Sequence, residues 1–379
     1  MKGNRYHRIP GLIYDYLSKL LFPLITIICA LLLGAVIIRW MGADPWNAYR
    51  HLLMGSFGSL PKFGETLVYV SPLILTGLSI AMAYRCGLFN IGAEGQYIMG
   101  MIGAAWAGSI QGLPLLVHLP LTMGAGILAG VFWGAVPGYF KAKFGAHEVI
   151  TTIMMNYISL QFTGYLVNYL LLAPPGNAPV TRTIEKTAQL TRFLATSRVN
   201  TGILIALLCL IGFYFFLWKT KWGFEIRAVG LNPDASKYAG INVTGKVILT
   251  MAISGGLAGL AGALQIQGIQ HRFNDLFGFP GYGFDGIAVA LLGNNHPAGI
   301  LGAALLFGAM NSGALEMQSV AGIPKDLIGI IQAIIIFFVA ADYVLKKLRR
   351  RIGRKQNYCP PTTSARDLEN PATLDKEVG

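Results

Sequence analysis

The sequence predicts an all-α polytopic membrane protein of about ten transmembrane helices, with both termini on the inner side and some segments broken or re-entrant. Three observations carry this. Of 379 residues 54% are hydrophobic and 12% charged, at a mean hydropathy of +0.55, so polar surface is too scarce to clothe a water-soluble globule. Apolar segments recur at about 20–38, 67–83, 96–110, 119–140, 149–172, 201–218, 247–267, 284–293, 298–316 and 327–344. Ten crossings put both termini on one side, and that side holds 21 of the 30 Lys and Arg residues against nine on the other. Such an excess marks the cytoplasmic face, which gives N-in, C-in topology.

The elements follow in order. Residues 1–19 form a cytoplasmic N-terminus carrying Lys2, Arg5, Arg8 and Lys19, and the apolar run after them is long enough to span a bilayer. No small-residue cleavage site follows, so an uncleaved first span is expected rather than a signal peptide. Between the second and third segments, Gly87-Leu-Phe-Asn-Ile-Gly-Ala-Glu-Gly-Gln96 places three glycines and the polar groups of Asn90, Glu94 and Gln96 at membrane depth. Polar groups there are costly unless they face a cavity or one another, so a glycine-broken element of this kind reads as pathway lining or as a satisfied helix-packing site. Glu148, Asn156 and Tyr157 in HEVITTIMMNYI, and Asp285 in GYGFDGIAVALLGNN, are further polar points beside apolar runs with the same two readings.

The stretch 173–200 opens Ala-Pro-Pro-Gly and reads as an irregular outer loop with room for a partner. Residues 222–242 form a polar island on the cytoplasmic side. Within it Asn232 suits a helix N-cap, Pro233 the first helical position, Asp234 the positive end of the helix dipole, Lys237 the last turn and Gly240 a left-handed stop. Ala235, Tyr238 and Ala239 share one face of that two-turn helix, which therefore reads as a docking knob held by its flanks. In the next segment Gly255, Gly256, Gly259 and Gly262 would let helices approach closely. The segment at 284–293 is too short to cross in the ordinary way and reads as tilted or re-entrant. Residues 346–379 read as a tail, at first basic and suited to lipid headgroups, then Pro-rich and charged and expected to be disordered.

Several function classes are excluded. The net charge of +13 does not signal nucleic-acid binding, because no basic stretch is interleaved with stacking aromatics on a soluble domain. Cys29, Cys86, Cys209 and Cys359 are scattered and imply neither metal nor disulfide framework, so no cofactor is expected. Residues 240–247 nearly spell a phosphate loop, but Val247 stands where Ser or Thr would hold magnesium. Gly281-Tyr-Gly-Phe-Asp-Gly286 matches a dinucleotide fingerprint without the βαβ unit that gives it meaning. The sequon at Asn242 faces the cytoplasm. No HExxH or GxSxG is present and the histidines are dispersed, which disfavours a membrane enzyme. A proton-coupled transporter using Glu94 and Asp285 stays open on spacing alone.

GLFNIGAEGQ, HEVITTIMMNYI, FEIRAVGLNPDASKYAGINV and GFDGIAVALLG, in this order and at these spacings, resemble the permease subunits of bacterial ATP-driven (ABC) importers of the branched-chain amino acid and simple-sugar superfamily. Within it they are most similar to purine-nucleoside permeases of the guanosine type. The resemblance covers about residues 20–345. It implies a transmembrane permease of the bacterial cytoplasmic membrane, not itself an enzyme, carrying a nucleoside or, alternatively, a pentose. It further implies a second permease subunit (a heterodimer), a separate cytoplasmic ATPase subunit and an extracytoplasmic substrate-binding lipoprotein. The candidate solute pathway read from the residues themselves comprises Asn90, Glu94, Gln96, Asn156, Tyr157, Phe284 and Asp285. The implied coupling helix involves Arg227, Asn232, Pro233, Asp234, Tyr238, Ala239 and Gly240.

Overall fold

Apolar runs of bilayer length, punctuated by glycine and proline, fold as helices because hydrocarbon leaves no other partner for backbone N–H and C=O groups. The computed structural model describes residues 9–176 and 178–338. The start of the N-terminal segment, the end of the tenth apolar segment (339–344) and the tail 346–379 lie outside the described residues. The helices are α1 (Ile9–Trp40), α2 (Pro45–Phe57), α3 (Leu60–Arg85), α4 (Ala93–Gly108), α5 (Leu115–Phe144) and α6 (Glu148–Tyr165), then α7 (Gly202–Lys219), α8 (Lys221–Leu231), α9 (Pro233–Tyr238), α10 (Val243–Gln265), α11 (Tyr282–Leu292) and α12 (Pro297–Ala321). A last helical stretch covers Asp326–Phe338. Turns of π-helix continue α6 through Leu166–Leu170 and α10 through Ile266–Gln270. Among the described residues there is no strand, only isolated bridges such as Val180 with Asn274.

Each apolar segment, as far as it is described, falls on a helix. Five helices, α3, α5, α7, α10 with its π-helical turn, and α12, are long and apolar enough to cross a membrane. At 11 residues α11 reaches about 16 Å, roughly half a hydrocarbon core. Two helices were not anticipated. The amphipathic α2 begins with Asp44 accepting from the Trp46 N–H and Pro45 at the first helical position, a local signal without an apolar run behind it. The 222–242 island holds two helices rather than one. Asn232, pushed to φ −158° and ψ 104° by the proline after it, closes α8 and caps α9.

The core is organised around α3, which is enclosed by α2, α7, α10, α11 and α12. Beside it α10 packs on α5 and α4 through a glycine seam in which backbone meets backbone. A Cβ on Gly130 of α5 would overlap the Gly255 carbonyl of α10, and one on Gly100 of α4 would overlap Gly259. The outward faces of α5 and α7 are apolar, with Leu128, Phe132, Leu208 and Phe215 exposed as a lipid-facing surface. Gly130→Val should therefore separate α5 from α10 and cost about 1–3 kcal/mol or more. Gly124→Ala, on the same helix with nothing near its Cβ position, should be neutral. The yield of monodisperse protein after detergent extraction checks both, and equal yields would disprove the seam's importance.

The stretch 171–201 is irregular but tied down. Glu65 of α3 accepts from the Arg198 backbone N–H at 2.7 Å, the Arg198 Nε at 2.9 Å and Nη2 at 2.7 Å, and from the Ser197 hydroxyl at 3.1 Å. The bridge to Glu65 raises the Arg198 guanidinium above its ordinary value, so it stays charged. Gln267 of the π-helical turn donates to the carbonyls of Leu119 and Ala188.

Candidate functional site

After Arg85 the chain leaves α3 through Gly87, whose φ of +78° suits glycine, and runs irregularly to the first residue of α4, Ala93. α4 has no capping side chain of its own, because its N-cap residue is Gly92. The cap comes from α6: Asn156 Oδ1 accepts from the Gly95 N–H at 2.8 Å, while its Nδ2 donates to the Ile91 carbonyl at 3.0 Å. α11 likewise starts without a local cap, at Gly281 with φ +93°. Here Glu94 supplies it. Its Oε1 accepts from the Gly281 N–H at 2.6 Å, and its Oε2 accepts from the Gly283 N–H at 2.5 Å and the Phe284 N–H at 3.3 Å. Both oxygens act only as acceptors, at a helix N-terminus where the backbone dipole favours negative charge. Two broken helices are thus started by side chains from elsewhere in the fold, α4 by α6 and α11 by α4.

Asn90 and Gln96 complete the cluster. Asn90 Nδ2 donates to Gln96 Oε1 at 2.9 Å and to Ser254 Oγ at 2.8 Å, and its Oδ1 accepts from the Gly92 N–H at 3.0 Å. Ser254 Oγ donates on to the Ser79 carbonyl at 2.7 Å. The network knits α3, the Gly87–Gly92 break, α4 and α10 together at one depth. Asn90, Glu94, Gln96 and Asn156 are all 1% exposed or less, with their polar atoms satisfied by the protein.

The remaining pathway candidates lie on the rim. Tyr157, beside Asn156, is 55% exposed, and its ring meets Phe279 edge-on at 5.3 Å. Phe279 in turn meets Phe284 edge-on at 5.6 Å. Asp285 is half-buried on the next position of α11 and faces Asn311 of α12. Glu148 pairs with Lys141 at 2.8 Å across the α5–α6 turn, away from the cluster. Among the described residues there is no group of three His, Cys, Asp or Glu side chains fit to hold a metal.

The polar island forms an arm. Thr220 caps α8 by accepting from the Gly223 N–H at 3.1 Å, and Glu225 pairs with Lys246 of α10. In α9, Asn232 Oδ1 accepts from the Ala235 N–H at 3.0 Å, Asp234 lies in the first turn, Lys237 in the last, and Gly240 follows at φ +81°. Ser236 turns inward, while Pro233, Asp234, Tyr238 and Ala239 face out, Tyr238 at 95% exposure. Arg227 stays at the root, its Nε reaching the Gly223 carbonyl at 3.4 Å. There the arm touches the break itself. A Cβ on Gly230 of α8 would overlap the Arg85 carbonyl, and one on Gly87 would stand 3.3 Å from the Gly230 carbonyl. Four stretches far apart in sequence therefore meet: 147–158 caps 87–96, 87–96 caps 283–293, and 224–243 packs against the start of 87–96.

Sequence reasoning missed Ser79, Ser254, Gly230 and the left-handed Gly281. A helix start with glycine where a capping side chain belongs is a signal that a remote acceptor is needed, and Gly92 and Gly281 both carry it.

Residues 63–340 match the family described as the branched-chain amino acid transport system / permease component. The chain is 43% identical to the guanosine ABC transporter permease protein NupP of Bacillus subtilis (strain 168), over 89% of this chain and 98% of that one. It is 41% identical to the nucleoside ABC transporter permease protein NupB of Lactococcus lactis subsp. cremoris (strain MG1363), over 86% and 92%. It is 31% identical to the glucose ABC transporter permease protein TsgB13 of Haloferax volcanii, over 91% and 94%.

Proposed function

Because the chain belongs to the branched-chain amino acid transport system / permease component family, we propose that it is the multi-pass membrane permease of an ATP-driven importer for nucleosides of the guanosine kind. It is a transport subunit, and ATP hydrolysis belongs to a partner. The observation that carries this reading is the near-full-length similarity to two permeases named for guanosine and for nucleosides, at 43% and 41% identity. The similarity to a glucose permease is lower, at 31%, and supports a simple sugar as the second reading.

The assembly proposed is two permease subunits, this chain and a similar one, two ATPase domains on the cytoplasmic side and an extracytoplasmic binding lipoprotein. With ten crossings, both termini and the α8–α9 arm are cytoplasmic. Arg227, Asn232, Pro233, Asp234, Tyr238, Ala239 and Gly240 are then the coupling helix and its root, and the outward face of α9 is the ATPase contact. In the pathway, Tyr157 and Phe284 with Phe279 offer aromatic surface to a nucleobase, where stacking on a side chain contributes about 1–3 kcal/mol, and Asp285 accepts from ribose hydroxyls. Asn90, Glu94, Gln96 and Asn156 hold that wall from behind, as hinges of the two broken helices. ATPase closure moving α9 would tip the break through the Gly230–Gly87 contact, a rigid-body shift between two packings.

Uptake of labelled guanosine by cells carrying all partners tests the reading. Vanadate should stop it, a proton ionophore should leave it intact while ATP is high, and excess inosine should compete where xylose does not. Collapse with the ionophore and indifference to vanadate would establish a secondary transporter. Competition by xylose alone would favour the sugar reading.

A further inference from the structure

Cationic side chains gather around one indole at the end of α7. The Arg85 Cζ lies 5.1 Å and the Arg227 Cζ 5.9 Å from the ring centroid of Trp218, and the His296 ring meets it at 5.4 Å. The indole attracts each guanidinium but neutralises neither, and the two repel one another. Among the described residues neither arginine forms an ion pair. Glu225, the carboxylate of α8, is held by Lys246. Arg85 spends its Nε and Nη2 on the carbonyl of Asn295, at 3.3 and 2.8 Å, and Arg227 reaches a carbonyl only through Nε at 3.4 Å. N–H groups of both forks stay uncommitted. His296 Nδ1 accepts from the Ala298 N–H at 3.3 Å, so its hydrogen sits on Nε2 as a further donor. Burial and then the Arg85 charge hold this imidazole below its usual value, which keeps it a neutral donor near pH 7.

α7 shows what faces the cluster. Its 18 residues reach about 27 Å, enough to carry Trp218 to headgroup depth. Leu204, Leu208, Ile211 and Phe215 along it are exposed and apolar, the surface an acyl chain covers. Tyr214 stacks on Trp218 at 5.4 Å and 20°, an aromatic pair of the kind that marks the interface. Lys219 and Lys221 stand exposed beside it.

We propose that Arg85, Arg227 and His296, arranged around Trp218, bind the phosphate of an anionic phospholipid whose acyl chains lie along α7. Two forked donors suit phosphate oxygens geometrically, and the phosphate supplies the negative charge the cluster lacks. An acidic protein segment could satisfy the charges, but not the apolar face that continues from them.

The test uses the purified full-length chain, delipidated in neutral detergent, with retained lipid counted by native mass spectrometry. Offered phosphatidylglycerol and phosphatidylethanolamine with matched chains, the protein should retain the anionic lipid about five-fold better or more. Arg85→Gln and Arg227→Gln should each bring that preference to less than about two-fold, while Arg272→Gln, in the segment after α10, leaves it unchanged. Using both arginine variants keeps the test decisive if one is poorly produced. Equal retention of the two lipids by the unaltered protein would overturn the proposal, as would a preference that survives both arginine variants. Retention of inorganic phosphate that displaces the lipid would identify a soluble-phosphate site instead. Expulsion of the lipid by the ATPase subunit would assign the cluster to an acidic protein partner.

Discussion

Glu94→Ala is expected to abolish guanosine uptake and to lower the yield of folded permease several-fold, while Glu94→Gln keeps a measurable part of both. The carboxylate accepts three backbone N–H groups at the start of α11, a helix with no capping side chain of its own. Truncation leaves the buried Gly283 N–H and the two part-buried donors beside it without this partner, at about 1–3 kcal/mol for the buried one and less for the others. Glutamine keeps one acceptor oxygen but turns an amide toward the other donors, which places it between the two. Uptake measured beside detergent-extracted yield separates the roles. If Glu94→Ala folds at normal yield and transports normally, α11 does not depend on this cap. If it folds normally and fails only in uptake, the side chain acts on solute rather than on the helix.

Tyr238→Pro is expected to leave the protein inserted at normal level and to remove uptake altogether. Proline at the last position of the six-residue α9 removes an N–H donor and drives its ring against the preceding turn, at about 3 kcal/mol, more than so short a helix can absorb. Tyr238 is almost wholly exposed, so the rest of the fold loses no packing. Tyr238→Ala, which keeps the helix and removes only the ring, should reduce uptake partially. ATPase activity of the assembled complex, uncoupled from transport in the proline variant, is the accompanying measurement. Full transport by Tyr238→Pro would end the assignment of α9 as the coupling element.

Features encoded locally were legible before the structure. Asn232, Pro233, Asp234, Lys237 and Gly240 occupy the cap, first-turn, last-turn and stop positions that their chemistry dictates, because a helix end is decided by a few adjacent residues. The apolar segments were legible for the same reason. α2 and α8 were passed over because neither is a long apolar run, although Asp44-Pro45 and Thr220 carry ordinary capping chemistry. The long-range pairings were not legible. That Asn156 caps α4, that Glu94 caps α11, and that Asn90 meets Ser254 depend on which helices lie side by side, and no local pattern contains that. From the sequence Asn90, Glu94 and Gln96 are expected on the solute pathway, with a satisfied helix-packing site as the alternative. In this conformation Asn90 and Gln96 face each other, and Glu94 faces the start of α11.

The contact between Gly230 and Gly87 has a mechanical consequence. Most helix contacts are cushioned, since a side chain shifted by an ångström changes rotamer and the displacement is spent before it reaches the next backbone. Here main chain rests on main chain, with no side chain between α8 and the turn that begins the broken helix. Such a joint is stiff and has no play. In the proposed import cycle a push on the arm would reach Gly87 through this backbone contact, and the stroke passed toward α4 would be set by the rigidity of α8 rather than by the softness of a hydrophobic filling.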